Sequence, residues 1–324
     1  MVLFPRADQC GAHRDIHTRR DSMPELPEVE TVRRILDAGI VGESIRDVSI
    51  GDFPAVLAAT LDGIDPAQTL MGRTFTETAR RGKYLVLNLD AGWHLIVHLR
   101  MTGRLLLLPA GAPAVRFEHL AIRLGNDMDI RFGDQRKFGR LVLATTNDVD
   151  RLDRKLGPEP FAAEINATSL SRSLARRPGK IKNALLDQRL IAGLGNIYVD
   201  ESLYRSRIHP ERASNSLTIE EVKRVIRAIR HVLNGAIERQ GTTFSSFENP
   251  YGEQGTNAGF LRVYGRSGGG LCFRCGAALQ RIVVGGRGTT FCPRCQVIGT
   301  PPIDQVPEHD DDTSFVLLQD GIDR

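Results

Sequence analysis

The sequence predicts an α+β multidomain protein: a β-sandwich flanked by helices, then a helical domain, then a small four-cysteine ribbon. Three observations carry this. Short strand-like runs fill residues 45–144, the hydrophobic period turns helical beyond residue 160, and two Cys-x-x-Cys pairs lie near the C-terminus. A chain of 324 residues can hold two compact domains. No apolar run approaches the roughly 20 residues of a membrane span, which argues against a membrane protein. Residues 1–20 lack an apolar core, and Asp8 and Asp15 offset Arg6, Arg14, Arg19 and Arg20, so neither a secretory signal nor a transit peptide is expected. A reducing cytosol follows.

In order, residues 25–38 read as a helix, with Val29, Val32, Ile35 and Leu36 on one face, acids first and Arg33 and Arg34 later. Strand-like runs then cover residues 45–50, 74–79, 83–89, 93–99, 104–108, 120–124, 129–132 and 141–144, separated by Gly or Asp turns; an antiparallel sandwich is expected. Leu156-Gly-Pro-Glu-Pro160 breaks the pattern and marks a domain junction. Residues 181–190 and 197–206 look like helices around Ala192-Gly-Leu-Gly-Asn196. Thr218-x-x-Glu221 is a capping box opening a helix that ends near Gly241. The Gly-rich stretch 252–270 reads as mobile, and the tail after Val297 as disordered.

Cys272, Cys275, Cys292 and Cys295 enclose the sixteen residues Gly276 to Phe291, a length that folds back as a hairpin. That spacing fits a closed tetrahedral site for one structural Zn²⁺, a zinc ribbon with no open position for chemistry. Two disulfides or four buried thiols compete with it, and the missing secretory signature favours metal. The fifth cysteine, Cys10, is incidental.

Charge is unevenly spread. Seven acidic groups against one arginine fill residues 296–324, so the net +4 of the chain conceals a body, residues 23–295, near +9. A basic body points to a polyanion, most often nucleic acid.

From Met23 the chain reads Met-Pro-Glu-Leu-Pro-Glu-Val-Glu-Thr-Val-Arg-Arg34, followed by Arg81-Gly-Lys-Tyr-Leu85, His98-Leu-Arg-Met-Thr-Gly103, Asp134-Gln-Arg-Lys-Phe-Gly139 and Gly193-Leu-Gly-Asn-Ile-Tyr198, then the cysteine ribbon. In this order the motifs resemble the bacterial formamidopyrimidine-DNA glycosylases, the 8-oxoguanine glycosylase/AP lyase family, over about residues 23–296. The resemblance implies a catalytic β-sandwich (23–152), a linker (153–165), a helix–two-turn–helix DNA-binding domain with a lesion-binding loop (166–260) and a zinc finger (261–296). Residues 1–22 are then an extension from a mis-assigned start, and 297–324 an acidic tail. It implies repair of oxidised purines in duplex DNA, containing oxidised bases or abasic sites, by a cytosolic, nucleoid-associated monomer.

Site residues follow by the same resemblance. Pro24 is the nucleophile, a secondary amine whose reference pKa of roughly 7.7–8.0 leaves a useful neutral fraction. Glu25 is the general acid/base, Glu28 a second carboxylate, and Lys83 and Arg287 grip phosphate and assist β- and δ-elimination. Met101, Arg136 and Phe138 fill the void left by an extruded base. Arg177, Lys182 and Asn196 contact the DNA backbone.

Three departures stand out. Pro24 is preceded by 23 residues, and an acylated proline nitrogen is no nucleophile, so the working protein is expected to begin at Met23 and then lose that methionine. Ser245 replaces a lysine of some relatives. Phe117 stands where some carry a DNA-contacting histidine, with His119 expected on its strand face. The competing readings are an endonuclease VIII-like pyrimidine glycosylase, disfavoured by Asp134-Gln-Arg-Lys-Phe138, and a catalytically silent DNA binder if the extension stays attached.

Overall fold

The computed structural model describes residues 23–244 and 247–299; the extension 1–22, Ser245 and the tail from residue 300 lie outside the described residues. Helix α1 (Leu26–Ile40) starts where Glu25 donates its backbone N–H to Glu28 Oε2 at 2.9 Å. Val29, Val32, Leu36 and Ile40 fall on one face and are almost fully buried.

Strand β1 (Ile45–Ile50) follows, then the short β2 (Leu57–Ala59) and α2 (Pro66–Leu70), capped by Asp65. Strands β3 (Phe75–Arg81), β4 (Tyr84–Leu89), β5 (Trp93–His98), β6 (Gly103–Pro109), β7 (Glu118–Leu124), β8 (Met128–Asp134) and β9 (Arg140–Thr145) complete the sandwich. One sheet runs β1-β7-β8-β6 and the other β2-β9-β5-β4-β3. Leu85, Leu87, Leu95 and Val97 face Leu105, Ile122, Ile130 and Phe132 in a core that α1 closes. The expected antiparallel pattern holds except at one edge, where β2 pairs with β9 in parallel. A 3-10 turn at Pro54–Val56 delivers β2 to that edge.

Helix α3 (Thr146–Lys155) runs into the expected linker, so irregular chain begins only at Leu156. The second body comprises α4 (Ala167–Ala175), α5 (Ile181–Leu186), α6 (Asn196–Ser206) and α7 (Ile219–Glu238). Helix α7 bears the Thr218/Glu221 capping box read from the sequence. The first of the two expected helices around the glycines is shorter than read: α5 stops at Leu186, and Asp187–Leu190 form a turn. Leu26 of α1 belongs to the core of this second body, packed among residues such as Leu194, Ile197 and Leu233.

The segment expected to be mobile, residues 252–270, is fastened just ahead of its start and again in its middle. Glu248 accepts Arg104 Nη1 at 2.8 Å and Leu107 donates to Pro250 O at 2.8 Å. The buried carboxylate of Glu201 accepts the backbone N–H groups of Arg262, Val263 and Tyr264 at 2.8–2.9 Å. Strands β10 (Gln280–Val284) and β11 (Arg287–Phe291) form the ribbon hairpin, turned by Gly285 and Gly286 at φ +56° and +74°. Among the described residues no helix is long and apolar enough to cross a membrane.

Candidate active site

Three chain turns converge between the two bodies. The first carries Pro24 and Glu25 ahead of α1, the second Gly82 and Lys83 between β3 and β4, the third Leu194 and Gly195 ahead of α6. Leu26 donates its backbone N–H to Gly193 O at 3.1 Å, and a Cβ on Gly193 would stand 2.6 Å from Leu26 Cδ1. Gly193 sits at φ +88°, so glycine is required there for both backbone and space. Gln188 holds the same turn, accepting Gly193 N–H at 2.9 Å and donating to Leu194 O at 2.7 Å. The Lys83 turn is fixed from the linker: Glu159 Oε1 accepts Gly82 N–H at 2.7 Å and Arg81 Nη1 at 3.1 Å.

Pro24 is buried at the mouth of this junction. Beside it Glu25 Oε1 accepts Ile197 N–H at 2.9 Å, while Oε2 is buried with no hydrogen-bond partner. A Cβ on Gly195 would lie 2.5 Å from both Glu25 Oε1 and Lys83 Nζ, so the absent side chain is what leaves room for these two groups around one point. Burial pushes Glu25 up to about 7; Lys83 opposes the rise, Glu28 adds to it, and the α6 amides oppose it. Burial pushes Lys83 below its ordinary value, against the attraction of Glu25 and Glu28, and the charge of Arg287 lowers it further. A protonated carboxyl and a lysine readier to lose its proton thus share one dry niche.

Glu28 is buried one turn on. Its Oε1 accepts the Tyr198 hydroxyl and Thr242 N–H at 2.7 Å, and its pKa is raised by burial. It thereby ties α1 to α6, through Tyr198, and to the loop after α7, through Thr242. Tyr198 and Thr242 were not singled out from sequence, though Tyr198 stood inside a recognised motif and Thr242 inside the Gly241-Thr-Thr243 stretch that opens the lesion-binding loop.

Arg287 opens β11, exposed at the hairpin turn. Asn196 Nδ2 donates to Gly288 O at 3.1 Å, which binds the α6 terminus to that hairpin. Lys182 departs from its expected surface role. Its ammonium is fully buried and donates to Asp200 Oδ1 at 2.6 Å and Thr289 Oγ1 at 2.7 Å, so it braces α5 and α6 against β11 instead of facing solvent. Burial lowers Lys182 and raises Asp200 to about 7, their mutual attraction opposing both shifts. Arg177 is half-buried, 3.6 Å from Asp187.

Met101, half-buried, lies on the β5–β6 loop, and Arg136 and Phe138, exposed, on the β8–β9 loop. The Arg136 guanidinium sits 4.8 Å from the Phe138 ring centre. Phe117 and His119 do not share a face. Phe117 is exposed with φ +59°, while His119 is buried and its Nε2 lies 2.9 Å from Asp134 O. A register shift between Glu118 and Leu120 breaks the alternation there.

The four cysteine Sγ atoms lie within 4.8 Å of one another, with Cys272–Cys295 at 3.8 Å and Cys275–Cys292 at 3.5 Å. These separations approach the edge, about 3.8 Å, of a tetrahedron with Zn–S bonds near 2.3 Å, and far exceed a disulfide bond of about 2.05 Å. The ribbon is a structural Zn²⁺ site.

Family models match three stretches: the formamidopyrimidine-DNA glycosylase N-terminal domain over residues 23–141, its H2TH domain over 156–248, and the zinc finger found in FPG and IleRS over 269–297. A formamidopyrimidine-DNA glycosylase of Herpetosiphon aurantiacus is 43% identical over 277 residues, covering 85% of this chain and 100% of the relative. Among solved structures, MutM in complex with carbocyclic 8-oxo-G containing DNA aligns with a TM-score of 0.77 at 38% identity, over 84% of this chain and 99% of that one. Lactococcus lactis Fpg in complex with abasic-site DNA aligns equally well, at 0.77 and 39% identity over the same shares. With three domains matched in order and a whole relative spanned, the chain belongs to the formamidopyrimidine-DNA glycosylase family, and with it to the DNA glycosylases.

Proposed function

We propose that this chain excises oxidised purines, 8-oxoguanine and formamidopyrimidines, from duplex DNA and then cuts the strand at the abasic sugar. The observation that carries the reading is the placement of the buried Glu25 and Lys83 side chains around Gly195, next to Pro24 and within the field of Arg287. The neutral Pro24 nitrogen attacks C1′ of the damaged nucleotide, and the N-glycosidic bond breaks, its electron pair leaving with the base, which takes up the proton that the proline nitrogen sheds. Glu25, protonated near neutral pH, donates its proton to the ring oxygen as the sugar opens, and an iminium ion links C1′ to Pro24. The cation acidifies C2′; loss of that proton expels the 3′ phosphate, and a second elimination expels the 5′ phosphate. Lys83 suits the role of base in the first elimination because burial favours its neutral form. Arg287, exposed and forked, binds a flanking phosphate.

Met101, Arg136 and Phe138 occupy the gap in the duplex, and Asn196 and Arg177 border the backbone path. Lys182 contributes by holding the hairpin. The partner is double-stranded DNA bearing oxidised bases or abasic sites, met by a monomer in the cytosol; the solved relatives bound to such DNA support this.

The scheme demands a free imino group, so residues 1–23 must be absent from the working protein. Borohydride trapping on abasic-site DNA tests it. Protein beginning at Pro24 is expected to form a covalent adduct, and protein retaining residues 1–23, or carrying Pro24→Gly, a much weaker one or none. Equal trapping by the extended protein, with its intact mass confirmed, refutes Pro24 as nucleophile. Failure of every form to trap, with tight binding, marks a silent binder.

A further inference from the structure

The two loops that carry Met101, Arg136 and Phe138 are neighbours by register. His98 pairs with Arg140 in one sheet and Gly103 with Asp134 in the other. Residues 99–102 and 135–139 therefore cross side by side between the sheets at one end of the sandwich. Both are tight. Gly103 donates to Leu99 O at 3.0 Å, with Arg100 at φ +57°, and Lys137 sits at φ +56°.

One buried carboxylate serves both loops. Asp134 is 1% exposed. Its Oδ1 accepts the Thr102 hydroxyl from the first loop and Arg136 N–H at 3.1 Å from the second. Its Oδ2 accepts Gly139 N–H at 2.6 Å. Thr102 Oγ1 itself accepts Arg136 N–H at 3.2 Å. The Asp134 carbonyl lies 2.9 Å from His119 Nε2, which fixes the strand end beneath. Gly139 completes the fit: a Cβ there would reach within 2.5 Å of Phe132 Cζ and 3.2 Å of Asp134 Oδ2.

We propose that Asp134, through Thr102, is a positioning residue that locks the two loops into one rigid wedge and so sets base extrusion. A charge-assisted, fully donor-surrounded carboxylate resists movement of any one of its partners. Met101 then cannot shift without Arg136, whose guanidinium already stands over Phe138. This rests on the proposed base-excision reading. It adds that wedge stiffness, separable from sugar chemistry, limits removal of a stacked base.

The test uses natively processed, zinc-loaded protein. Thr102→Val removes the bridging hydroxyl at nearly constant volume, Thr102→Ser restores it, and Asp134→Asn turns one acceptor into a donor aimed at an N–H or O–H. At saturating enzyme, Thr102→Val is expected to slow excision of 8-oxoguanine opposite cytosine about tenfold, the worth of one charge-assisted hydrogen bond. Nicking of a preformed abasic site is expected to change less than about twofold, since no base is extruded. Thr102→Ser recovers excision, and Asp134→Asn follows Thr102→Val or exceeds it. Excision at the wild-type rate in Thr102→Val, or excision and nicking falling in step, overturns the proposal.

A second readout needs no chemistry. The fluorescence of 2-aminopurine opposite a tetrahydrofuran site reports stacking by the wedge. It is expected to change less when Thr102→Val binds than when the wild type binds, and an identical change overturns the proposal. A wild type that binds and shifts the fluorescence but excises nothing sinks the excision reading alone.

Discussion

Replacing Gly195 by alanine isolates the geometry on which the chemistry depends. Gly195 is the N-cap of α6 at φ −134° and ψ −159°, an extended conformation open to alanine, so the backbone need not strain. The new Cβ would sit 2.5 Å from Glu25 Oε1 and from Lys83 Nζ, whereas ordinary contact begins at 3.4 Å. Each group must retreat by about 1 Å. Both are far ends of flexible side chains, so the cost in stability stays near 1 kcal/mol or less. For catalysis the same atoms are the reacting ones, and a 1 Å misplacement costs about 10²-fold, or roughly 2.7 kcal/mol of barrier. Single-turnover excision and abasic-site nicking should both fall by that order, while thermal unfolding and DNA affinity change little. Wild-type rates from folded Gly195→Ala would show that catalysis does not depend on where Glu25 and Lys83 stand around Gly195.

Other consequences follow from the same geometry. Since Glu25 titrates near 7, excision should decline as pH rises through that value, and Lys83→Met, removing the cation that holds Glu25 down, should move the inflection upward; an unmoved inflection contradicts their coupling. Its folded pKa of about 7 exceeds the ordinary 4.5, so the protonated group's contribution to stability is complete below about 4.5 and lost as pH rises through 7. Glu25→Gln should accordingly melt higher than wild type at pH 8 but not at pH 5, as calorimetry can check. Arg287→Ala should weaken duplex binding and reduce the salt slope of the affinity by about one, and an unaltered slope denies it a phosphate. Cys292→Ser, or chelation of zinc, should lower melting temperature and DNA affinity together; unchanged binding by zinc-free protein argues against the hairpin's role.

The sandwich was legible because its strands are short runs rich in large apolar residues between Gly or Asp turns: β1 was bounded to the residue and the others that were read to within two, while the three-residue β2 was not read. Among the helices, what escaped notice was polar. Helix α3 buries no residue, so hydrophobic periodicity had nothing to display, though Thr145 and Asp148 spelled a capping box at its start. Helix α4 buries only Leu170 and Leu174. The site was legible where its residues adjoin in sequence, as Pro24 and Glu25 do. Lys182 was assigned to the DNA backbone by resemblance, and its run of basic residues gave no sign of burial; the partners that bury it, Asp200 and Thr289, lie 18 and 107 residues away. Phe117 and His119 were misread because a strand bulge is invisible to simple alternation.

Leu26 is the first residue of the sandwich's own helix, yet its side chain lies in the interior of the helical body, bonded through its backbone to Gly193. Pro24 and Glu25 therefore adjoin a residue anchored in the helical body while the helix they precede packs on the sheets, so both bodies fix where these two residues stand.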